Sequence, residues 1–416
     1  MRILLLVDCY VPSAKSGAKQ MRDLAVEFHR QGHDVIVLTP SHEIAGDVQV
    51  TREEGARVVR VRTGQIRGGG KIPRAVEEIR LSGTAWRRAG GFLLKNPAEL
   101  IVFYSPTIFW GALVRRLKTL WGCPAYLILR DIFPQWAVDA GLLRRGLVWW
   151  YFRKKEIEQY EVADKIAIQS PANAEYFTKE FPLREYPLEV LYNWMVLEEP
   201  DLPSTDYRRT LGLQDKVVFF YGGNLGVAQD VDNIVRLAAR LARHKHIHIL
   251  LVGEGSEVPR LKRLVKAKTL NNVQILPPVG QREYLAMLSE FDVGLLSLDR
   301  RLSTHNLPGK MLGYMYCGIP ILASINPGND LFDLIEKNNA GLCVGNGEDD
   351  SLAAAALKLS NEPKLRAKMG ANARRLLERQ FSVALAARQI TAFAAREKVK
   401  AEESAVFQTA DNASFS

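Results

Sequence analysis

Two hydrophobic patterns alternate along the chain. Short, almost wholly apolar runs are separated by longer stretches in which apolar positions recur every third or fourth residue. The apolar runs of the first half are Arg2–Asp8 (RILLLVD), Asp34–Thr39, Arg57–Val61, Leu100–Tyr104, Ala125–Leu129, Lys165–Gln169 and Leu188–Tyr192. A run without polar alternation is the pattern of a strand buried on both faces, as in a parallel sheet. Between the first two runs, Met21, Leu24, Ala25 and Phe28 share one helical face, and Gly32 ends that helix. The repeated strand–helix–strand order predicts an α/β, doubly wound sheet covered on both faces.

The second half repeats the scheme. Its predicted strands are Lys216–Tyr221, Ile247–Val252, Val273–Leu276, Val293–Leu298, Ile319–Ala323 and Leu342–Val344. Helical spacing occurs from about Asp230, around Tyr284, over 310–316, and over 351–358 and 364–379. The polar, proline-rich stretch from Glu198 to Asp206 reads as a linker. The expected layout is therefore a first domain 1–197, a linker 198–208 and a second domain 209–380. A helix over 381–397 follows. From 398 to 416 the chain is polar with few large apolar residues, so a disordered tail is expected.

Composition narrows the class. Among 416 residues, 47% hydrophobic and 25% charged content is that of a soluble globular protein. No apolar run reaches the roughly 18 residues of a membrane span. Residues 1–8 read as a first strand and not as a signal peptide. Four cysteines without a CxxC pair suit reduced thiols in a cytosol. The net charge of +10 is concentrated: Arg60 to Lys155 holds 18 Lys/Arg against 5 Asp/Glu. Such a surface attracts nucleic acid, anionic lipid or a diphosphate-linked substrate. Within that block, Leu142–Lys155 (LLRRGLVWWYFRKK) flanks aromatic residues with basic clusters. The pattern suits a helix lying on an anionic membrane surface. The alternative is that Trp149, Trp150 and Phe152 are core and the charges merely solvated.

The candidate chemistry sits where strands end. In Ser303-Thr304-His305-Asn306-Leu307-Pro308-Gly309-Lys310, a polar loop leads into a predicted helix. Pro308 sets the chain angle, Gly309 allows close backbone approach, and Lys310 adds charge at the helix start. This suits a phosphate or diphosphate; the plainer alternative is a loop–helix joint with a surface lysine. Gly222-Gly223-Asn224-Leu225-Gly226 follows the first strand of the second half, in a spacing that is not Walker A. Gly253-Glu254-Gly255 follows the next strand. In the first half there is no GxGxxG after the first strand, so a dinucleotide site is not supported. Arg130-Asp131 follows an apolar strand at its carboxyl end, where this architecture places ligands. Asp131 would orient or accept a proton from a hydroxyl. Arg130 would offset phosphate charge or pair with Asp131. Asp230-Val231-Asp232 is read as a helix start and not as a metal site.

The Pro-Gly-Lys…Tyr-Met…Cys-Gly-Ile-Pro-Ile pattern from Pro308 to Ile321 resembles the donor site of family 4 glycosyltransferases of the GT-B fold. Its local form resembles the branch that builds bacterial surface polysaccharide (O-antigen, capsule), near N-acetyl-L-fucosamine transferases. The resemblance covers nearly the whole chain. It implies two Rossmann-like domains facing a cleft, with the helix after Phe381 crossing back to the first. It makes Gly17 an acceptor- or phosphate-facing residue, since Ser16-Gly17 stands where relatives carry Gly-Gly. It assigns the donor to Gly223, Asn224, Gly253, Glu254, His305, Asn306, Leu307, Gly309 and Lys310. Catalytic roles fall on Asp131, Arg130 and Lys310.

The chain also departs from that family. Relatives carry an Arg and a Lys where Asn224 and Gln229-Asp230 stand, His where Arg130 stands, and glutamates at the positions of His305 and Gly313. The implied activity is metal-independent transfer, usually with retention and without a cofactor. The donor is a UDP-linked amino sugar, and the acceptor an undecaprenyl-diphosphate-linked saccharide. The expected location is cytoplasmic, peripheral at the inner face of the membrane. Two alternatives stay open: a GT-B-fold UDP-sugar epimerase, and a non-enzymatic, basic nucleic-acid binder. The chain has no recognised nucleic-acid motif, and the second alternative leaves two nucleotide-type halves unexplained.

Overall fold

The apolar runs become the strands of two separate sheets. The computed structural model describes residues 1–13, 15–64, 71–139, 141–198, 202–302 and 307–414. In chain order the first sheet and its helices are β1 (Arg2–Leu6), α1 (Ser16–Arg30), β2 (Asp34–Ser41), β3 (Val48–Glu53), β4 (Ala56–Arg62), α2 (Lys71–Lys95), β5 (Leu100–Ser105), α3 (Gly111–Trp121), β6 (Ala125–Leu129), α4 (Gln135–Asp139), α5 (Leu147–Glu161), β7 (Lys165–Ile168), α6 (Asn173–Glu180) and β8 (Leu188–Val190). The second set is α7 (Tyr207–Thr210), β9 (Val217–Gly222), α8 (Val231–Leu241), β10 (Ile247–Val252), α9 (Val258–Ala267), β11 (Val273–Leu276), α10 (Gln281–Ser289), β12 (Val293–Ser297), α11 (Lys310–Tyr316), β13 (Ile321–Ile325), α12 (Leu331–Lys337), β14 (Gly341–Gly345), α13 (Asp349–Asn361) and α14 (Pro363–Gln380). A last helix, α15 (Val383–Ser414), returns to the first unit.

The first unit comprises Met1–Gln169, Ala174–Val196 and Val383–Ser416. Its strand order is β3-β4-β2-β1-β5-β6-β7-β8. Strand β1 shows why the run is apolar throughout. Leu4 and Leu6 pack on one side with Leu81, Leu113 and Leu117. Ile3, Leu5 and Val7 pack on the other with Met21, Leu24 and Phe28 of α1 and Ile390 and Phe393 of α15. Both faces are dry, so neither tolerates polar residues.

One strand departs from the expected all-parallel sheet. β3 pairs antiparallel with β4, in register from Val48↔Val61 to Glu53↔Ala56. Glu54 and Gly55 both take positive φ, 47° and 90°, which matches the tight turn a two-residue hairpin needs. The sequence carried that signal in the Glu54-Gly55 pair between two Val-rich runs.

The second unit holds Ser170–Asn173 and Leu197–Ser382, with strand order β11-β10-β9-β12-β13-β14, every pair parallel. Phe219, Tyr221, Ile249 and Leu251 pack against Ile234, Leu237 and Leu241 of α8. In both units the first strand is central and the order reverses beside it, at β1/β5 and β9/β12. That reversal opens a crevice at the carboxyl edge of each sheet.

Where a disordered tail is expected, α15 continues as a helix to Ser414. Residues 398–414 contain no Gly or Pro, and Ala is their commonest residue. They extend a helix already nucleated by packing, which adds residues at little cost. Phe393 anchors that packing, 1% exposed and with its ring 5.4 Å from that of Tyr126. Phe393→Ala should lower the stability of the first unit by about 3–5 kcal/mol. Urea unfolding followed by near-UV dichroism checks this; a loss under about 1 kcal/mol would show that α15 is not part of this core.

Candidate active site

In the second unit the site is built from three loops. Strand β9 ends in Tyr221-Gly222 and β10 ends in Val252, each followed by a glycine turn. Gly223 takes φ +115° and Gly253 φ +157°. A Cβ placed on Gly253 would stand 1.9 Å from the carbonyl oxygen of Gly223. One on Gly255 would stand 2.3 Å from that of Leu225. The two turns therefore lie backbone on backbone, cross-linked where the Leu225 N–H donates to the Glu254 carbonyl at 2.8 Å. Gly223, Asn224 and Glu254 remain exposed on the outer side.

Lys310 completes this cluster. It begins α11, with Gly309 as the preceding cap and no side-chain capping bond. Its Nζ donates to the Tyr221 hydroxyl at 3.0 Å and lies 4.5 Å above that ring. Tyr221 in turn donates to the Asn224 carbonyl at 2.9 Å. The chain Lys310–Tyr221–Asn224 thus ties α11 to the glycine turn, and the Lys310 Cε passes 3.7 Å from a Cβ built on Gly223. Burial pushes the Lys310 ammonium down to about 8. Among the described residues Lys310 makes no ion pair. Its partner is a neutral phenol, which burial keeps protonated.

The neighbouring positions explain the departures from the family pattern. Asn224 donates its amide to Gln229 Oε1 at 3.0 Å, and Gly226 N–H donates to the same oxygen at 3.2 Å. Two neutral amides close this loop. At Gly313 a Cβ would meet the Tyr284 ring at 3.3 Å and Leu288 at 3.4 Å, so α11 packs closely on α10 there. Asp230 and Asp232 do not converge. Asp230 caps α8 in a left-handed conformation and accepts from Asn346 at 3.1 Å. Asp232 pairs with Arg260 at 2.9 Å.

Of the remaining donor candidates, Leu307 is buried and Gly309 exposed. His305 and Asn306 lie outside the described residues. The expectation that the α11 terminus would itself cradle a diphosphate is weakened by its length of 7 residues. So short a helix carries little aligned dipole, and the field comes mainly from Lys310.

The first unit has its own cluster at the carboxyl edge. Gly17 lies in the first turn of α1, where a Cβ would be 3.1 Å from the Tyr104 hydroxyl at the end of β5. Arg130 follows β6 and is 6% exposed. Its guanidinium lies 5.4 Å from the Trp194 ring and donates to the Tyr192 carbonyl at 3.3 Å. Arg130 is thus directed to Trp194 and Tyr192, and among the described residues it forms no ion pair with Asp131. The Asp131 carbonyl accepts from Ser105 Oγ at 3.3 Å. The structure therefore groups Gly223, Asn224, Gly253, Glu254 and Lys310 in one unit, and Gly17, Arg130 and Asp131 in the other. Tyr221, Tyr104 and Trp194 were missed as site residues. Their shared signal is an aromatic side chain at or just beyond a strand's carboxyl end.

Comparison with known proteins agrees with this architecture. Residues 204–376 match the family of glycosyl transferases group 1, and residues 17–194 match the glycosyl transferase 4-like domain. The two matches together take in most of both units, and the chain is a glycosyltransferase of the GT-B type. It is 26% identical over 396 residues to the putative colanic acid biosynthesis glycosyl transferase WcaI of Escherichia coli (strain K12), covering 88% of this chain and 93% of that one. It is 24% identical over 267 residues to the probable glycosyltransferase WbjE of Pseudomonas aeruginosa, covering 62% of this chain and 63% of the relative. Among solved structures, Anabaena HepE in complex with UDP and glucose superposes with a TM-score of 0.67 at 17% identity, over 95% of this chain and all of that one.

Gly253→Ala should force the two glycine turns apart. A Cβ at that φ is strained and meets backbone, so a loss of at least about 1–3 kcal/mol is expected. Thermal unfolding of the second unit measures it; an unchanged midpoint would contradict the backbone-on-backbone packing.

Proposed function

We propose that this glycosyltransferase moves an N-acetylated amino sugar, such as N-acetyl-L-fucosamine, from a UDP-sugar to a lipid-diphosphate-linked saccharide. The acceptor carrier is undecaprenyl diphosphate, and the product belongs to bacterial surface polysaccharide. One observation carries this: a partly buried lysine without a carboxylate partner, pinned by Tyr221 beside two exposed glycine turns. Such a cation is complementary to the diphosphate that leaves when the sugar bond breaks. The HepE structure, bound to UDP and glucose, supports a nucleotide-linked donor in this fold. The relative WcaI, named for colanic acid biosynthesis, supports a role in polysaccharide assembly.

In this proposal the donor diphosphate rests against Gly223, Gly253 and Lys310. Charge that develops on the leaving phosphate is met by Lys310, whose position Tyr221 fixes in advance. Transfer is metal-independent and retains configuration. Asp131 orients the acceptor hydroxyl.

The surface of α5 supports a peripheral membrane location. This helix buries Arg153, Glu156 and Gln159 beside the core residue Tyr160, packs Tyr151, Phe152 and Ile157 against that core, and exposes Leu147, Val148 and Trp150 at its start. Arg153 pairs with Glu156 at 2.8 Å and with Glu180 at 2.9 Å, and Tyr160 and Tyr176 donate to Glu156. That polar network holds the inner face. Outside, Leu147 is 88% exposed, Trp150 60% and Leu142, just before the helix, 74%. Exposed Arg144, Arg145 and Lys154 border them. Trp149 is turned inward between Arg145 and Arg153, so the lipid-facing residues are Leu142, Leu147, Val148 and Trp150. Apolar side chains rimmed by cations suit the interface of an anionic membrane. No helix among the described residues is long and apolar enough to cross one.

Lys310→Gln should weaken UDP binding and cut transfer, read by mass with UDP-sugars and a lipid-diphosphate-saccharide acceptor. The pH dependence has a definite sign. Only protonated Lys310 attracts the diphosphate, and the free group titrates near 8. UDP affinity should fall as pH rises through that value, by up to about ten-fold per unit, and the fall should vanish in Lys310→Gln. Calorimetric titration between pH 7 and 9.5 would refute the assignment if the wild-type affinity stayed flat. Separately, the Leu147→Ser/Trp150→Ser variant should partition at least roughly ten-fold less onto anionic liposomes, since each residue loses about 1.5–3 kcal/mol of apolar burial. Equal partitioning by flotation would remove the membrane surface from the proposal.

A further inference from the structure

Tyr221 fixes the tip of the Lys310 side chain, but the aim of that side chain also depends on where α11 lies. The helix has only 7 residues. So short a helix has little stability of its own and takes its position from what it packs on. Tyr314, one turn after Lys310, supplies the anchor and is wholly buried. Its hydroxyl accepts from the Gly222 N–H at 3.3 Å and donates to the Leu295 carbonyl at 3.0 Å. Gly222 ends β9, and Leu295 lies in β12. One phenol therefore bridges the two strands at which the strand order reverses.

The surrounding residues are shaped to this ring. A Cβ on Gly294 of β12 would stand 2.3 Å from it, so the ring lies directly on the strand backbone. Phe220 meets it edge-on, with ring centres 6.5 Å apart. Phe219 and Tyr221 face α8, and Phe220 between them faces the other way, as alternation along a strand requires. Lys310 and Tyr314 share one side of α11. They hold consecutive residues of β9, Tyr221 and Gly222, from opposite faces of the sheet. Burial pushes the Tyr314 phenol well above its ordinary value, and the ionisable side chains acting on it are the phenols Tyr284 and Tyr221. It stays a neutral donor. A phenylalanine would fill the same space, so what the hydroxyl adds is the tie between helix and strands.

We propose that Tyr314 is a positioning residue for sugar transfer: its hydroxyl locks α11 onto β9 and β12, so that Lys310 meets the leaving diphosphate already in place. This rests on the transferase reading, in which Lys310 carries the charge. Tyr314 acts through Lys310 and not on substrate, because its hydroxyl is spent on two backbone groups. A cation held in advance stabilises developing charge without rearranging, which is where such a residue contributes to the rate.

The full-length protein would be compared as wild type, Tyr314→Phe, Lys310→Gln and the double variant. Titration of Lys310 is followed by NMR of carbon-13-labelled lysine, with its signal assigned by its loss in Lys310→Gln. UDP affinity is measured by calorimetry and transfer by mass. Tyr314→Phe should keep the fold and melt roughly 3–10 °C lower, since two buried backbone groups lose a partner. Its Lys310 midpoint should rise from about 8 by at least about one unit toward the ordinary lysine value, as the loosened ammonium regains water. UDP affinity at neutral pH should fall about three- to ten-fold, and kcat further, because charge on the diphosphate grows as the sugar bond breaks. In the double variant UDP should bind no more weakly than in Lys310→Gln, since both changes act through one cation. A Lys310 midpoint that stayed near 8 in Tyr314→Phe would overturn the proposal. So would a further loss of UDP affinity in the double variant, which would make Tyr314 act independently of Lys310. A shifted midpoint in a protein whose UDP affinity ignores Lys310 would keep Tyr314 as the residue that aims the cation and remove the donor reading instead.

Discussion

The second unit depends on holding an ammonium group where water is scarce without neutralising it. Lys310 is met by a phenol and not by a carboxylate. A carboxylate would have formed a more stable buried pair, but it would also have cancelled the charge a diphosphate needs. Tyr221 positions the cation by one hydrogen bond and by its ring face, at no cost in net charge. The same tyrosine holds the Asn224 carbonyl, so the cation and the glycine turn move as one piece. Preorganisation of this kind lets a site stabilise developing charge without rearranging during the reaction.

The glycine turns set the other half of that arrangement. Gly253 and Gly255 press against the carbonyls of Gly223 and Leu225 at distances no side chain would survive. The outer surface of the turns then offers bare backbone at Gly223, flanked by the exposed side chains of Asn224 and Glu254, and bare backbone is what a phosphate approaches most closely. Asn224 and Gln229 close the first turn as neutral groups, so the charge offered there comes from Lys310. The first unit uses the same device with different residues, setting Arg130 on Trp194 and beside Tyr104. In both units an aromatic group supports a cation that forms no ion pair among the described residues.

Helix α5 adds a buried polar network and an exposed apolar start to the usual pattern of a surface helix. An ordinary amphipathic helix hides its apolar face. Here a polar network around Glu156 shares the inside with Phe152, Ile157 and Tyr160, while Leu147, Val148 and Trp150 are left outward. Helical periodicity in Leu142–Lys155 could not separate these cases, because Trp149, Trp150 and Phe152 supply apolar groups to every direction. Only the partners of Arg153 and Glu156, which lie on α6 and within α5 itself, decide which side faces in.

Much of the architecture was readable in the amino-acid sequence. Strands such as RILLLVD and KVVFFY are apolar throughout because both sheet faces are covered, and that pattern is local. The glycines after Tyr221 and Val252, and Lys310 after Pro308-Gly309, were likewise visible as residues fit for phosphate. What the sequence could not carry was who touches whom. That Lys310 answers to Tyr221, 89 positions earlier, and Arg130 to Trp194, 64 later, depends on strand order and register. The antiparallel β3 and the long α15 were decided the same way, by pairing with β4 and packing on α1. Hydrophobic patterning determines which residues are buried, because burial follows from each side chain's own transfer energy. The charge state and aim of a cation follow from distant neighbours, and those exist only once the sheets have closed.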